Sequence, residues 1–189
     1  LTSVVIPNSV TSISPGLFAD ATELSSVTIG NNVTTIGIGS FSATALTSVV
    51  IPNSVTSIGD NAFAEASELV SITFGSSVTT IGARAFAYAY ELTSVSIPNS
   101  VTSIGEYAFE DAIRLASVTI GNGVTSIGQY AFAGAIELTS VTIGNGDTSI
   151  GDFAFAGASN LSGVRFLGPP PSLGSSVFTG IPAGAKALV

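Results

Sequence analysis

The sequence predicts an α/β solenoid of eight coils of about 23 residues, with a parallel β-sheet on one face and short helical or 3-10 turns on the other. Three observations predict it. A leucine recurs at Leu1, Leu24, Leu46, Leu69, Leu92, Leu115, Leu138 and Leu161, spaced 23 residues apart except for 22 between Leu24 and Leu46. A phenylalanine keeps the same beat from Phe18 through Phe41, Phe63, Phe86, Phe109, Phe132 and Phe155 to Phe178. An isoleucine does likewise from Ile13 to Ile150, with Leu173 closing its column. Several independent columns in one register identify stacked units, none of which can bury its apolar side alone.

Within a unit the first six residues alternate. Val4 and Ile6 are apolar, and Ser3 and Val5 stand between them, the pattern of a half-buried strand. Pro7-Asn8 or Gly121-Asn122 then turns the chain, Pro presetting φ and Asn tolerating unusual backbone. A short extended piece follows, Val10 to Ile13 in the first unit, and most units continue with a glycine such as Gly59, Gly105 or Gly151. The remainder, for example Asn61 to Ala66, is too short for an isolated helix and reads as one helical or 3-10 turn on the outer face. Coils stacked at ~4.8 Å would build a rod roughly 40 Å long. Ala66, Ala89, Ala112, Ala135 and Ala158 form a small-residue column where the outer turn meets the core.

The chain reads as one domain, residues 1–189, with repeats starting at residues 1, 24, 46, 69, 92, 115, 138 and 161. The pattern breaks at Gly168-Pro169-Pro170-Pro171, where proline takes the place of the second extended piece, so 168–189 reads as a C-terminal cap or exit segment. The first residue falls in mid-pattern, as expected of a processed chain or of part of a longer one.

Composition narrows the function classes. Only 8% of residues are charged, against the ~25% of ordinary domains, so the surface must be Ser, Thr, Asn and Gly. The net charge of −8, from 12 acidic and 4 basic residues, leaves no basic stripe for nucleic acid or anionic membrane. No apolar run approaches the ~20 residues of a membrane span. His and Cys are absent, which removes Ser-His and Cys-His nucleophiles and the usual zinc ligands. Gly37-Ile38-Gly39 lies outside any βαβ unit, so no cofactor is expected. A carboxylate pair could in principle hydrolyse a glycoside, but the acids spread over the outer turns. The expectation is a protein that is not an enzyme.

Two acidic features stand out. Glu23, Glu68, Glu91 and Glu137 share a column, with Arg114 between the last two to relieve their repulsion. One carboxylate per coil is a poor calcium cage, so no metal site is expected. Asp147 falls in the column of Val55, Val78, Val101 and Val124. A buried unpaired carboxylate is costly, so Asp147 is expected to turn outward or find a donor, and Asp147→Val to raise the melting temperature.

The repeated motif V-T-S-I-G-x-x-A-F-x-x-A-x-x-L-T-S-V-x-I-P, as it stands from Val55 to Pro98 with its intervening copy, resembles the BspA-like (Treponema pallidum type) leucine-rich repeat. The resemblance covers essentially the whole chain. The family often carries Cys where this chain has its Ala column, a swap of one small buried residue for another. The resemblance implies a surface or secreted protein that adheres to host or matrix proteins or to other cells, and it brings no catalytic residues with it.

The candidate binding face is the outward side of the first strands: Ser26 and Thr28, Ser48, Ser71 and Thr73, Ser94 and Ser96, Ser117 and Thr119, Ser140 and Thr142. It is a ladder of small hydroxyls without the Trp, Tyr and Arg of protein hot spots. A second hydroxyl stripe runs from Thr11-Ser12 to Thr148-Ser149, and Tyr88, Tyr90, Tyr107 and Tyr130 are placed on the outer turns. Three functions fit. The first is an extracellular or cell-surface module for adhesion or recognition, binding host or matrix protein or glycan. The second is a scaffold or filament segment that stacks end to end on neighbouring copies of itself. The third is an ice- or surface-binding protein, because regular Thr arrays suit ordered water.

Overall fold

Each coil contributes two short strands because each carries two stretches of alternating apolar side chains. The computed structural model describes residues 1–146 and 148–188. The first strands are β1 (Ser3–Val5), β3 (Ser26–Thr28), β5 (Ser48–Val50), β7 (Ser71–Thr73), β9 (Ser94–Ile97), β11 (Ser117–Ile120), β13 (Ser140–Ile143) and β15 (Gly163–Phe166). The second strands are β2 (Ser12–Ile13), β4 (Thr35–Ile36), β6 (Ser57–Ile58), β8 (Thr80–Ile81), β10 (Ser103–Ile104), β12 (Ser126–Ile127), β14 (Ser149–Ile150) and β16 (Ser172–Leu173). All pairing is parallel and in repeat register, as in Ser94↔Ser117 and Ile104↔Ile127.

The second strands form one unbroken eight-stranded sheet from β2 to β16. The first strands do not. They form β1–β3, β5–β7, and a five-stranded run from β9 to β15 that β17 (Lys186–Leu188) completes. The first break follows from the 22-residue unit. Phe41 to Leu46 is one residue shorter than Phe63 to Leu69, and the Thr47 amide reaches the Ser25 carbonyl at only 3.5 Å. The second break coincides with Phe74, which stands where most other coils carry Ile and meets Phe86 edge-on at 5.8 Å.

The core is a set of columns. Leu24 to Leu161 and Val33 to Val124 are buried, as are Phe41 to Phe155. Eight phenylalanine rings stack in series from Phe18 to Phe178, with most centroids 5.1 or 5.2 Å apart and planes within 17° of parallel. Such offset pairs contribute ~0.5–1.5 kcal/mol each beyond their burial. The alanine column is fully buried as expected. Asp147 lies outside the described residues.

Two expectations need correction. Among the described residues no helical or 3-10 turn forms on the outer face. Each coil there places two residues four apart in the left-handed region, such as Asn61 (φ 54°) with Glu65 (φ 61°), and Tyr107 (φ 58°) with Asp111 (φ 54°). Left-handed residues interrupt any right-handed run. They turn alternate amides toward the next coil: Asn61, Phe63 and Glu65 donate to the carbonyls of Ala83, Ala85 and Ala87 at 2.8 Å. The intervening Ala62, Ala64 and Ala66 amides close turns on residues three back. The outer face is therefore a third hydrogen-bonded ladder made of turns. The second correction concerns the prolines. They occupy the approach to β16 and do not replace that strand, so Ser172 and Leu173 still pair with Ser149 and Ile150.

Candidate functional site

The sheet-face residues stand where the alternation sends them. Ser26, Thr28, Ser48, Ser71, Thr73, Ser94, Ser96, Ser117, Thr119 and Ser140 are exposed, and Thr142 is half-buried. Register places them directly opposite one another, Ser94↔Ser117↔Ser140 and Ser96↔Thr119↔Thr142. Among the described residues none of these hydroxyls donates a hydrogen bond within the chain, so every one is free to meet water or a ligand. The two breaks divide the set into Ser26 with Thr28, Ser48 with Ser71 and Thr73, and a continuous patch from Ser94 to Thr142. That longest patch ends in charge, because Arg165 pairs with Thr142. A shallow groove runs beside it, lined by Ser96, Pro98, Asn99, Thr119 and Asn122.

The second hydroxyl stripe is engaged differently. The Thr34, Thr56, Thr79, Thr102 and Thr125 hydroxyls each donate to the carbonyl of the preceding coil's threonine, at 3.0–3.2 Å. The same carbonyl also accepts the backbone amide, as Thr56 does from Thr79 at 2.8 Å. These threonines bind coil to coil.

Sequence reasoning missed other inter-coil devices. The Asn8, Asn53, Asn99 and Asn122 side-chain oxygens accept the amides of Asn31, Ser76, Asn122 and Asn145 at 2.7–3.1 Å. The turn asparagines thus serve as acceptors on the next coil, and none of these four has a positive φ. Asp60 and Asp152 do the same for Ala83 and Ser175. Their recurrence at a 23-residue offset was the available signal.

The outer face gathers the aromatic and charged groups. Tyr107 and Tyr130 stack at 5.0 Å, and Phe153 continues the stack at 5.0 Å. The Arg84 guanidinium lies 4.3 Å from the Tyr107 ring centre. All four occupy the first left-handed position of their coils, with φ of 54–58°. Phe153 and Arg84 were legible as members of the column of Tyr107 and Tyr130. Arg114 pairs with Glu91 at 2.6 Å, on an exposed surface where such a pair contributes little. Burial, reinforced by Asp111, lifts the Glu110 carboxyl above its ordinary value. The Glu110 charge in turn raises the Tyr88 hydroxyl. Tyr88 and Tyr90 form a separate pair, 6.2 Å apart and tilted by 57°. Among the described residues no cluster of acids could hold a metal ion, and no helix is long and apolar enough to cross a membrane.

Comparison with known proteins agrees with this architecture. The family described as the BspA type leucine rich repeat region matches residues 1–111 and 79–183, in six copies. Among solved structures, the T. pallidum leucine-rich repeat protein superposes with a TM-score of 0.78 at 26% identity, over 85% of this chain and 78% of that one. A leucine-rich repeat protein from Bacteroides ovatus gives 0.63 at 20% identity, and a leucine rich cell surface protein from Faecalibacterium prausnitzii gives 0.56 at 30% identity. Both matches span all of this chain, which covers 62% and 59% of those two chains. No curated protein sequence matches. Repeats of this kind generally serve as non-catalytic scaffolds for protein binding. The chain belongs to the BspA-type leucine-rich repeat family.

Proposed function

We propose that this chain is a cell-surface or extracellular adhesion module that recognises host or matrix protein, or glycan, through its Ser/Thr sheet face. The observation that carries the reading is the unbroken patch from Ser94 to Thr142, exposed along most of its length, whose hydroxyls donate no hydrogen bond within the chain among the described residues. Family membership supports a binding role, and one similar solved structure is described as a cell surface protein. Small hydroxyls on a fixed backbone offer many donors and acceptors at little ordering cost, which suits polar, hydrated contacts.

The test is a solid-phase screen of the purified chain against matrix proteins and a glycan array. It is run beside a variant carrying Ser94→Asp, Ser117→Asp and Ser140→Asp. Binding by the parent that the charged variant loses is expected. Silence of the parent across the panel, or equal binding by the variant, overturns the sheet-face reading. Thermal hysteresis and light scattering on the same samples separate it from ice binding and from end-to-end assembly.

A further inference from the structure

The repeat is most altered on the outer face of its middle coils. All four tyrosines of the chain lie there: Ser67 and Ser159 align with Tyr90, whose column runs on through Ile113 and Ile136, and Ala43 and Gly134 align with Tyr88. An open concavity between two neighbouring coils is lined by Glu65, Ser67, Tyr88 and Tyr90. The two rings are tilted by 57° with centres 6.2 Å apart, too splayed to cover one another, so each leaves a face for a third group. Glu65 brings an exposed carboxylate to the same hollow.

The frame around the hollow is rigid. The Glu65 amide donates to the Ala87 carbonyl and the Tyr88 amide to the Glu110 carbonyl, both at 2.8 Å. Glu65 and Tyr88 sit at equivalent left-handed positions, φ 61° and 63°. Negative charge predominates around it. Glu110 and Asp111 act on Tyr88 from the next coil, with Arg84 of its own coil opposing them more weakly, and among the described residues the ion pair formed is Arg114 with Glu91. The neighbouring ladder shows what such rings accept, since the Arg84 guanidinium rests on the Tyr107 face. Arg84 acts on Tyr88 as well but rests on the Tyr107 ring, so among the described residues the hollow is lined by rings and a carboxylate without a cation.

We infer that this hollow receives a lysine or arginine side chain from a basic segment of a partner protein. The aliphatic stem lies against the two tyrosine rings and the charged head faces Glu65. Charge complementarity selects this occupant: the chain carries a net charge of −8, and splayed aromatic rings beside a carboxylate suit a cation better than a neutral sugar. The site lies on the outer turns, away from the sheet face, and stands independently of the function proposed above.

The test is an NMR titration of the whole chain with capped Gly-Lys-Gly and Gly-Arg-Gly peptides, with Gly-norleucine-Gly as the neutral control and a neutral oligosaccharide as the competing ligand class. Saturable shifts confined to the Tyr88 and Tyr90 region are expected with both cationic peptides, with a dissociation constant on the order of millimolar for one side chain. Tyr90→Ala and Glu65→Gln, both at exposed positions, should each weaken binding about two- to fivefold. A variant at an exposed position of the first coil, Ser14→Ala, should leave it unchanged. The inference is overturned by absence of saturation, by equal binding of the norleucine peptide, by stronger binding of the sugar at the same resonances, or by both variants binding as the parent does.

Discussion

The carbonyl of Thr56 accepts two hydrogen bonds from Thr79, one from its amide at 2.8 Å and one from its hydroxyl at 3.0 Å. The arrangement repeats at the five links from Thr11–Thr34 to Thr102–Thr125, each with a side-chain bond added to the backbone one, whereas the Thr148 hydroxyl donates to the Val124 and Gly146 carbonyls. Val matches Thr in shape and strand propensity but cannot donate. Thr79→Val, Thr102→Val and Thr125→Val should each cost about 0.5–1.5 kcal/mol, because each removes one hydrogen bond and leaves the amide ladder intact. Urea unfolding of the three single variants measures this. An unchanged or raised midpoint in all three would sink the claim.

The glycines of the outer coil divide into two kinds with different substitution costs. A Cβ on Gly105 would lie 2.5 Å from the Ala83 amide nitrogen and the Gly82 carbonyl carbon, so the coils would have to move apart. Gly157 has φ +75° and nothing nearer than 3.6 Å, leaving only backbone strain. Gly105→Ala should cost about 3 kcal/mol or more, and Gly157→Ala about 1–2 kcal/mol. Thermal melts of the two variants check the order, which the reverse ranking would refute.

Ala43 tests the same strain from the other side. It occupies a left-handed position (φ 53°) that other coils fill with Gly134, Gly157 or Gly180. Ala43→Gly should stabilise the protein by about 1 kcal/mol, since the strain relieved exceeds the entropy lost. A fall in melting temperature would show that Ala43 sits there without strain.

Ser40 is fully buried and its hydroxyl has no hydrogen-bond partner, in a column where Ala62, Ala85 and Ala108 stand in the next coils. Its burial leaves one polar group unsatisfied. Ser40→Ala should raise stability by about 1 kcal/mol by removing that group at nearly constant shape. Differential scanning calorimetry decides it, and a loss of stability would contradict the assignment.

Glu110 supplies a pH dependence. Burial first, then the Asp111 charge, raises its carboxyl above the ordinary 4.5. The folded chain therefore binds this proton more readily than the unfolded chain. The group's contribution to stability is fully present below its unfolded value and is lost as pH rises through the raised folded value. Glu110→Gln should thus be more stable than the parent at pH 7, with an advantage that shrinks toward pH 4. A difference that stays constant across that range in denaturant midpoints would remove Glu110 as the source.

The legible part of this protein was whatever repeats. Leu, Val, Ile and Phe at fixed offsets located the large-residue core columns but not the equally buried column of Ala62, Ala85, Ala108, Ala131 and Ala154. The alternation matches the exposure of the sheet-face hydroxyls apart from half-buried Thr142. The outer turn was misread because its left-handed positions carry a glycine in some coils only, Gly16, Gly39, Gly134, Gly157 and Gly180, and no helix-breaking residue in the middle ones. Tyr107, Arg84 and Glu65 are ordinary helix-compatible residues, and only the hydrogen bonds to the next coil hold them left-handed. The aromatic side chains were found as a group but not sorted. Two of them entered a stack with Phe153 and Arg84, while two stood apart beside Glu65.

By itself the sequence determined the coil count, the register and which side chains face inward, since a 23-residue period leaves one way for each column to bury its apolar face. Tertiary structure decided how coils are tied together and where the binding face is interrupted. Those outcomes depend on distances between coils that no single repeat encodes. One missing residue between Phe41 and Leu46 weakens a strand pairing, a phenylalanine at Phe74 coincides with the loss of another, and a backbone approach that leaves no room for a Cβ at Gly105 sets how closely the coils stack.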